Sequence, residues 1–234
     1  MEQTHTLQCL GFIMDGNRRW AKDQGLQTYE GHKKGGEVFA DSIGWVREAS
    51  IPHAVYYAFS TENWNRSEAE VSYLMDLFRE WLSKIDERVE ENRKSDKKIN
   101  VRIVGQRADF DTDLQEQMNA LEEKNAEFPH PTSTIWVALS YGGRAEIVNA
   151  VNTAIKNGEE VSEADFEKLL WTADMPDPDM IVRTSGEHRL SNFMTWRSVY
   201  SELHFIEKHW PALTQTDFND ILLEYENRER RRGK

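Results

Sequence analysis

The stretch of residues 54–89, AVYYAFSTENWNRSEAEVSYLMDLFREWLSKIDERV, combines the two patterns that decide the fold. Residues 54–59 form a short apolar run whose length and aromatic content predict a buried strand. From residue 71 to residue 89, apolar side chains recur every three or four positions, which predicts a long amphipathic helix. Ser67, with Glu70 three residues later, has the pattern of a capping box at the start of that helix. A strand therefore leads through a polar loop into a helix.

The rest of the chain repeats this alternation. Further strands are predicted at residues 10–14, 101–104, 135–139 and 180–182, and further helices at 34–49, 111–123, 143–156 and 218–230. Strands that alternate with helices of this length predict a parallel sheet whose two faces are covered by helices. The expected fold is a single α/β domain, residues 1–234, with a mostly parallel central sheet flanked by helices.

The composition disfavours several classes of protein. Lysine and arginine number 29 against 41 aspartate and glutamate residues, and the net charge of -12 argues against nucleic-acid binding. No stretch approaches the ~20 apolar residues of a membrane span, so membrane contact is expected to be peripheral at most. The single cysteine, Cys9, excludes an internal disulfide, and residues 1–8 lack the features of a signal peptide. The expected location is cytoplasmic.

Four polar segments follow predicted strands, and they are the candidates for a binding site. They are residues 15–20, 60–66, 141–144 and 183–191. In a parallel α/β sheet the ligand lies beyond the carboxyl ends of the strands. We therefore expect these segments to meet around one ligand.

The first segment places an acid beside arginines. Asp15 offers the oxygen ligands that Mg²⁺ prefers, and Arg19 offers a planar fork for phosphate oxygens. Gly16, just before a helix start, exposes backbone N–H groups that can hold phosphate. An ordinary solvated turn explains this segment equally well when it is taken alone. The G-x-x-x-x-G-K-[ST] loop of nucleotide-binding proteins is absent, which disfavours that class.

The remaining segments carry similar chemistry. Residues 60–66 place hydroxyl, acid, amide, indole and arginine side chains after a strand, although a helix-capping loop is the alternative. Arg183 and Arg189 flank hydroxyls and a glycine, which suits a diphosphate, although a surface loop is the alternative. Glu202 lies in an aromatic and apolar run, where an ionised carboxylate is costly unless it meets a cation. A strand residue that faces solvent explains Glu202 equally well.

Five blocks of sequence together carry a family resemblance. They are residues 14–21 (MDGNRRWA), 57–64 (YAFSTENW), 141–144 (YGGR), 183–193 (RTSGEHRLSNF) and 228–233 (RERRRG). In content and in order these blocks resemble the signature of the cis-prenyltransferases, the undecaprenyl diphosphate synthase family. The resemblance covers nearly the whole chain, and the DDxxD motif of the trans-prenyltransferases is absent.

The resemblance implies a Mg²⁺-dependent homodimeric enzyme. Its reaction would condense isopentenyl diphosphate with an allylic diphosphate, geranyl or farnesyl diphosphate, into a Z-polyprenyl diphosphate. The growing chain would lie in an apolar tunnel with the helix of residues 71–89 as one wall. Ala58 is small and leaves the mouth of such a tunnel open, whereas Trp136 and Leu139 are bulky and could narrow it farther in. Product length therefore stays open.

The resemblance also assigns roles to individual residues. The implied catalytic residues are Asp15, which handles Mg²⁺, and Asn63, which accepts a proton. The implied substrate-binding residues are Gly16, Asn17, Arg18, Arg19, Trp20 and His32 at the allylic diphosphate, Ser60, Thr61, Glu62, Trp64 and Arg66 beside the reacting carbons, and Arg183, Arg189 and Ser191 at the isopentenyl diphosphate. The implied further metal ligands are Glu202 and His188. Arg231 and Gly233 would reach the partner's site in the homodimer.

Two alternatives within this resemblance remain open. One is a non-catalytic partner subunit of a heteromeric enzyme, which the presence of Asp15, Asn63 and Glu202 disfavours. The other is a variant that makes branched or cyclic terpenoid diphosphates, which is expected to depart from the pattern of residues 60–64. This chain keeps that pattern.

Overall fold

The computed structural model describes residues 7–92, 98–126, 131–158 and 160–227. Within these residues the strands are β1 (Cys9–Ile13), β2 (His53–Tyr57), β3 (Ile99–Val104), β4 (Ser133–Ala138), β5 (Met180–Arg183) and β6 (Glu202–Phe205). They form one sheet in the order β3-β4-β2-β1-β5-β6, and every neighbouring pair is parallel. The predicted α/β class is confirmed, and the described sheet is parallel throughout.

Helices connect the strands and cover both faces of the sheet. In the described residues they are α1 (Asn17–Asp23), α2 (Thr28–Glu48), α3 (Glu68–Asn92), α4 (Thr112–Ala126), α5 (Gly143–Asn157), α6 (Glu163–Glu167) and α7 (Gln215–Glu226). Short 3₁₀ turns lie at Thr61–Asn65, Arg107–Asp109 and Trp210–Ala212. None of these helices has the length and apolarity needed to cross a membrane.

Capping determines where two of the helices begin. The sequence predicted that α2 begins at residue 34, whereas it begins at Thr28, because Gln27 and Glu30 form a capping box ahead of the apolar stripe. At α7, Thr214 and Asp217 form a second capping box. This helix therefore begins at Gln215, three residues before the predicted start at residue 218. The predicted end of that helix, residues 228–230, lies outside the described residues.

The main core lies between the sheet and the helices α2, α3, α4 and α7. Phe12 of β1 is fully buried at its centre, and its ring stacks on Tyr56 with a centroid distance of 4.9 Å. Trp210 and Phe218 contact the same ring at 5.8 and 6.4 Å. This aromatic cluster joins β1, β2 and the closing segment of the chain into one unit.

The opposite face of the sheet carries a second core, which contains Trp136. Side chains alternate between faces along a strand, so Trp136 points away from its neighbours Ile135 and Val137, which belong to the main core. Its indole Nε1 donates to His53 Nδ1 at 3.2 Å. Trp136 therefore does not narrow any cavity on the α2 and α3 side, in contrast to the expectation.

Replacing Phe12 with alanine should lower the free energy of unfolding by about 3–5 kcal/mol, because the lost ring leaves a cavity among aromatic neighbours. Urea denaturation followed by tryptophan fluorescence measures this change. Lys156→Ala, an exposed substitution on α5, is the control and should change stability by less than ~0.5 kcal/mol. A Phe12→Ala variant as stable as the control would contradict the central position of this ring.

Candidate functional site

Two adjacent cavities open where the strands β1, β2 and β5 end. The first has a volume of 530 Å³ and runs from polar side chains at this edge to the apolar Phe39, Leu74, Phe78 and Trp81. The second has a volume of 710 Å³ and is lined mainly by the polar segment that follows β1. They share Asp15 in their walls. This is the edge at which the parallel topology predicts a ligand.

Most of the residues that the sequence singled out meet at these cavities. Those that line one or both are Asp15, Gly16, Asn17, Arg18, Arg19, His32, Ser60, Glu62, Asn63, Arg66, Arg183 and Ser191. Ala58 also lines the first cavity, at the place where a small side chain was expected to leave space.

Asp15 lies between two arginines at the junction of the cavities. Its Oδ2 is 2.8 Å from Nη2 of Arg183, and its Oδ1 is 3.1 Å from Nη2 of Arg19. The carboxylate is 29% exposed, whereas Arg183 is buried at 4%. Burial by itself raises the pKa of Asp15, but the hydrogen bonds and charges of Arg183 and Arg19 outweigh it and hold the pKa below its ordinary value. Asp15 is therefore an ionised oxygen donor that faces the cavities.

The backbone of Asp15 is held as firmly as its side chain. Its carbonyl accepts hydrogen bonds from Thr184 Oγ1 at 2.6 Å, from Ser185 Oγ at 3.2 Å and from the amide of Trp210 at 3.0 Å. Gly16 follows with a φ of 105°, in the left-handed region. A Cβ atom there would lie 2.0 Å from Ser185 Oγ, so only glycine lets the two loops approach this closely.

Arg183 organises the loop that follows β5. Its Nη1 donates to the carbonyl of Arg189 at 2.5 Å and to Ser191 Oγ at 2.7 Å. Its Nε is buried and has no hydrogen-bond partner among the described residues. Arg19 reaches the same loop and pairs with Glu187 at 3.0 Å, and Glu187 also pairs with Arg189. One acid thus holds two arginines beside the cavities.

Glu70 is a site residue whose role the sequence did not reveal. Its carboxylate lies 2.8 Å from Arg66, 3.4 Å from His32 Nε2 and 3.9 Å from Arg18. The predicted contact with Ser67 is also present, since the Glu70 amide donates to Ser67 Oγ at 3.4 Å. The signal in the sequence was the position of an acid four residues after Arg66, in the first turn of α3.

The environment of His32 keeps its imidazole neutral. Burial lowers the pKa of this histidine, and the positive charge of Arg66 lowers it further, which together outweigh the opposite effect of Glu70. His32 is only 7% exposed and lines both cavities. Its one N–H group can therefore donate a hydrogen bond to a bound anion without the ring carrying a charge.

The segment after β2 presents an amide and an acid to the first cavity. Asn63 Oδ1 accepts from the backbone amide of Ser60 at 3.1 Å, which fixes the 3₁₀ turn. Glu62 accepts from Asn192 Nδ2 at 2.8 Å. Asn192 lines the cavity although the sequence assigned it no role; it lies directly after Ser191, and that position was the available signal. Trp64 lines neither cavity; its Nε1 donates to Ser140 Oγ at 2.9 Å, and its ring packs against Phe59 and Phe110.

Other predicted site residues lie outside the walls of both cavities. They are Trp20, Thr61, Trp64, Arg189, His188 and Glu202. Arg231 and Gly233 are outside the described residues.

Glu202 and Asp15 lie at opposite ends of the sheet. Glu202 begins β6 and pairs in register with Met180 at the amino end of β5, whereas the cavities open at Arg183. His188 stacks on Phe205 with a centroid distance of 4.8 Å. Among the described residues no three histidine, cysteine or acidic side chains come together in a group that could hold a metal ion.

A single carboxylate still suits one kind of metal site. Mg²⁺ is commonly held by one or two carboxylates together with phosphate oxygens of the substrate and water. Asp15 is partly exposed, ionised and flanked by arginines that could bind phosphate. The donor set at Asp15 therefore fits a Mg²⁺ ion that arrives with a diphosphate.

Known proteins resemble this chain over almost its full length. Residues 13–233 match the family described as "Putative undecaprenyl diphosphate synthase". An isoprenyl transferase of Thermotoga maritima is 42% identical over 97% of this chain and 96% of its own length. A tritrans,polycis-undecaprenyl-diphosphate synthase (geranylgeranyl-diphosphate specific) of Thermoplasma acidophilum is 38% identical, with 96% and 88% covered.

Two solved structures share the fold. Lavandulyl diphosphate synthase of Lavandula x intermedia, in complex with dimethylallyl diphosphate, has a TM-score of 0.89 and 30% identity over 98% of this chain and 99% of that one. A probable undecaprenyl diphosphate synthase of Campylobacter jejuni has a TM-score of 0.81 and 29% identity, with 97% and 99% covered.

The lowered pKa of Asp15 predicts a pH-dependent contribution to stability. A carboxyl group whose pKa is lowered on folding stabilises the fold above its unfolded value of 3.8, and this contribution is lost as the pH falls through the lower folded value. Asp15→Asn keeps the shape but cannot ionise. Urea denaturation from about pH 3 to about pH 7 should show a stability gap between wild type and Asp15→Asn that closes toward the acidic end. A gap that is constant with pH would contradict this account.

Proposed function

The chain belongs to the cis-prenyltransferases of the undecaprenyl diphosphate synthase family, and we propose that it condenses isopentenyl diphosphate with an allylic diphosphate. The products are diphosphate and a prenyl diphosphate that is longer by one five-carbon unit with a Z double bond. The observation that carries this proposal is the position of Asp15 between Arg183 and Arg19, at the junction of a polar and a partly apolar cavity. The reaction needs both environments, because each substrate consists of a diphosphate group and a hydrocarbon chain.

Arginine side chains bind the two diphosphates. We assign the allylic diphosphate to Arg18, Arg19 and His32, which line the polar cavity, with its hydrocarbon directed toward the apolar end of the first cavity. Arg183, Arg189 and Ser191 are assigned to isopentenyl diphosphate. Guanidinium groups match phosphate oxygens in two-point contacts. Glu187 holds Arg19 and Arg189 in place until a diphosphate takes over as their partner.

Asp15 assists the departure of the leaving group. A bound Mg²⁺ ion would supply positive charge for the diphosphate as it departs. Asp15 is the residue that would hold the ion, and its lowered pKa keeps it ionised at neutral pH. Arg19 and Arg183 add fixed positive charge at the same point, and such charges need no reorganisation during the reaction.

Asn63 is assigned to the end of the reaction, when the new double bond forms and isopentenyl diphosphate loses a proton. It lines the first cavity together with Ser60 and Asp15. The hydrogen bond from the Ser60 amide orients its side chain. A proton leaving the new chain would pass to this polar wall and from there to solvent.

A homodimer is the proposed assembly, because an apolar surface is left uncovered. On α5 the side chains of Val148, Val151 and Ile155 share one face and are 58%, 42% and 70% exposed. Before and within β6, Val199, Tyr200 and Leu203 are also exposed. Contiguous exposed apolar groups mark interaction surfaces. Because one chain keeps Glu202 away from Asp15, its proposed role as a metal ligand requires that a second copy supply it.

The test of the function is an elongation assay on the purified protein. Radiolabelled isopentenyl diphosphate and Mg²⁺ are incubated with geranyl, farnesyl or geranylgeranyl diphosphate, and the products are separated by chain length. We expect a ladder that ends at a dominant Z-polyprenyl length. Branched or cyclic products would instead support the alternative of a variant terpenoid diphosphate synthase. No incorporation with any primer would leave the non-catalytic subunit as the explanation.

Asp15→Ala should lower kcat by about 10²-fold or more, because the charge on the leaving group loses its carboxylate-held ion. The measurement is the rate of the first condensation with farnesyl diphosphate, with circular dichroism to verify folding. Asp165→Ala, on the exposed surface of α6, is the matched control and should retain wild-type turnover. Wild-type turnover in Asp15→Ala would overturn the proposed role of this residue.

Ile155→Glu should convert the dimer to a monomer, because a carboxylate buried in an apolar interface is strongly disfavoured. Size-exclusion chromatography with light scattering measures the mass directly. Asn149→Glu lies on another exposed side of the same helix and should leave the dimer intact. Equal masses for these two variants would show that this face of α5 is not the interface.

A further inference from the structure

A third cavity lies between α2 and α3, beyond the apolar end of the first. Its volume is 610 Å³. Its lining includes the apolar side chains of Ile43, Leu77 and Ile85 and charged side chains of both helices. Phe39 and Trp81 line both this cavity and the first one. These two aromatic rings therefore form a partition between the reaction site and a second apolar space.

Phe39 is the fixed half of the partition. It is 3% exposed, and its ring packs edge-on against Tyr56 with a centroid distance of 4.8 Å. Tyr56 is fully buried in turn against Phe12 of the central strand. A movement of Phe39 would therefore disturb the main core.

Trp81 is the less buried half of the partition. It is only partly buried, and its ring contacts Phe39 at 6.2 Å and Phe78 at 5.7 Å. The indole lies directly against Gly36 of α2: a Cβ atom at that position would be 2.1 Å from Trp81 Cζ2. Glycine is unfavourable inside a helix. Here its missing side chain is what allows the indole to lie across the space between the two helices.

We propose that Trp81, lying against Gly36, closes the hydrocarbon path and thereby determines the length of the product. The inference rests on the proposed function. Each condensation adds a unit at the diphosphate end, so the older end of the chain is pushed from the reaction site toward Phe78 and Trp81. When that end reaches the indole, further elongation must displace the ring from its contacts. The space between Asp15 and Trp81 thus limits the length of the product. The third cavity stays closed to the hydrocarbon chain while the indole is in place.

The test is to remove the partition and measure product length. Trp81→Ala connects the first and third cavities, and the dominant product should become longer by one or more five-carbon units. Trp81→Leu is a second variant that retains more apolar packing if alanine impairs folding, and it should lengthen the product in the same direction.

Two glycines of α2 provide a matched pair of controls. Gly36→Ala places a methyl group where the indole lies and must displace it, so the distribution of product lengths should change. Gly44→Ala lies farther along the same helix, also lines the third cavity, and its Cβ would meet nothing within 4 Å. Both substitutions raise helix propensity equally. Gly44→Ala should therefore give the wild-type distribution.

The outcomes separate this inference from the function on which it rests. If wild type elongates a primer but Trp81→Ala, Trp81→Leu and Gly36→Ala all give the wild-type length distribution, the partition is wrong and the function stands. If Gly44→Ala shifts the distribution as far as Gly36→Ala does, contact with the indole is not the cause and the inference fails. If wild type incorporates no label with any primer, the proposed function itself fails, and this inference with it.

Discussion

The ion pair between Arg183 and Asp15 is the contact on which the rest of the site depends. Arg183 ends β5, and Asp15 follows the neighbouring strand β1, where Ile13 pairs with Arg183 in register. A buried guanidinium requires a counter-charge, since its desolvation is costly. The same arginine gathers the carbonyl of Arg189 and the hydroxyl of Ser191, so the loop after β5 closes over the end of β1. The pair therefore fixes how the segments after β1 and β5 lie against each other.

Acidic side chains hold the positive charge of the site in order. The chain carries a net charge of -12, yet arginines converge on the two cavities. Glu70 holds Arg66 and Arg18 on one side, and Glu187 holds Arg19 on the other. Without these acids, arginines packed this closely would repel each other. The arginine N–H donors are therefore already in place at the cavities before a diphosphate binds. Such preorganised donors favour electrostatic catalysis, because they need no reorganisation during the reaction.

The pairing of α2 with α3 creates the apolar part of the site. Close approach of the two helices depends on small residues of α2, and Gly36 allows the Trp81 ring to lie between them. The polar part of the first cavity is therefore continuous with its apolar end. The partition of Phe39 and Trp81 separates that end from the third cavity. The sequence showed the apolar stripe of α3 but not Trp81, which lies three residues after Phe78 on that stripe. Only the packing of α3 against α2 shows which aromatic ring of the stripe lies between the first and third cavities.

Local chemistry and order along the chain were determined by the sequence alone. Apolar periodicity predicted the alternating elements and the parallel sheet, and the strand ends located Asp15, Ser60 and Arg183 at one edge. These signals depend on residues close together in the chain. Pairings between distant segments do not, and so only the tertiary structure decided that Trp136 faces the second core and that Glu202 lies opposite Met180. Strand order and register arise from the packing of the whole sheet, which no local pattern encodes.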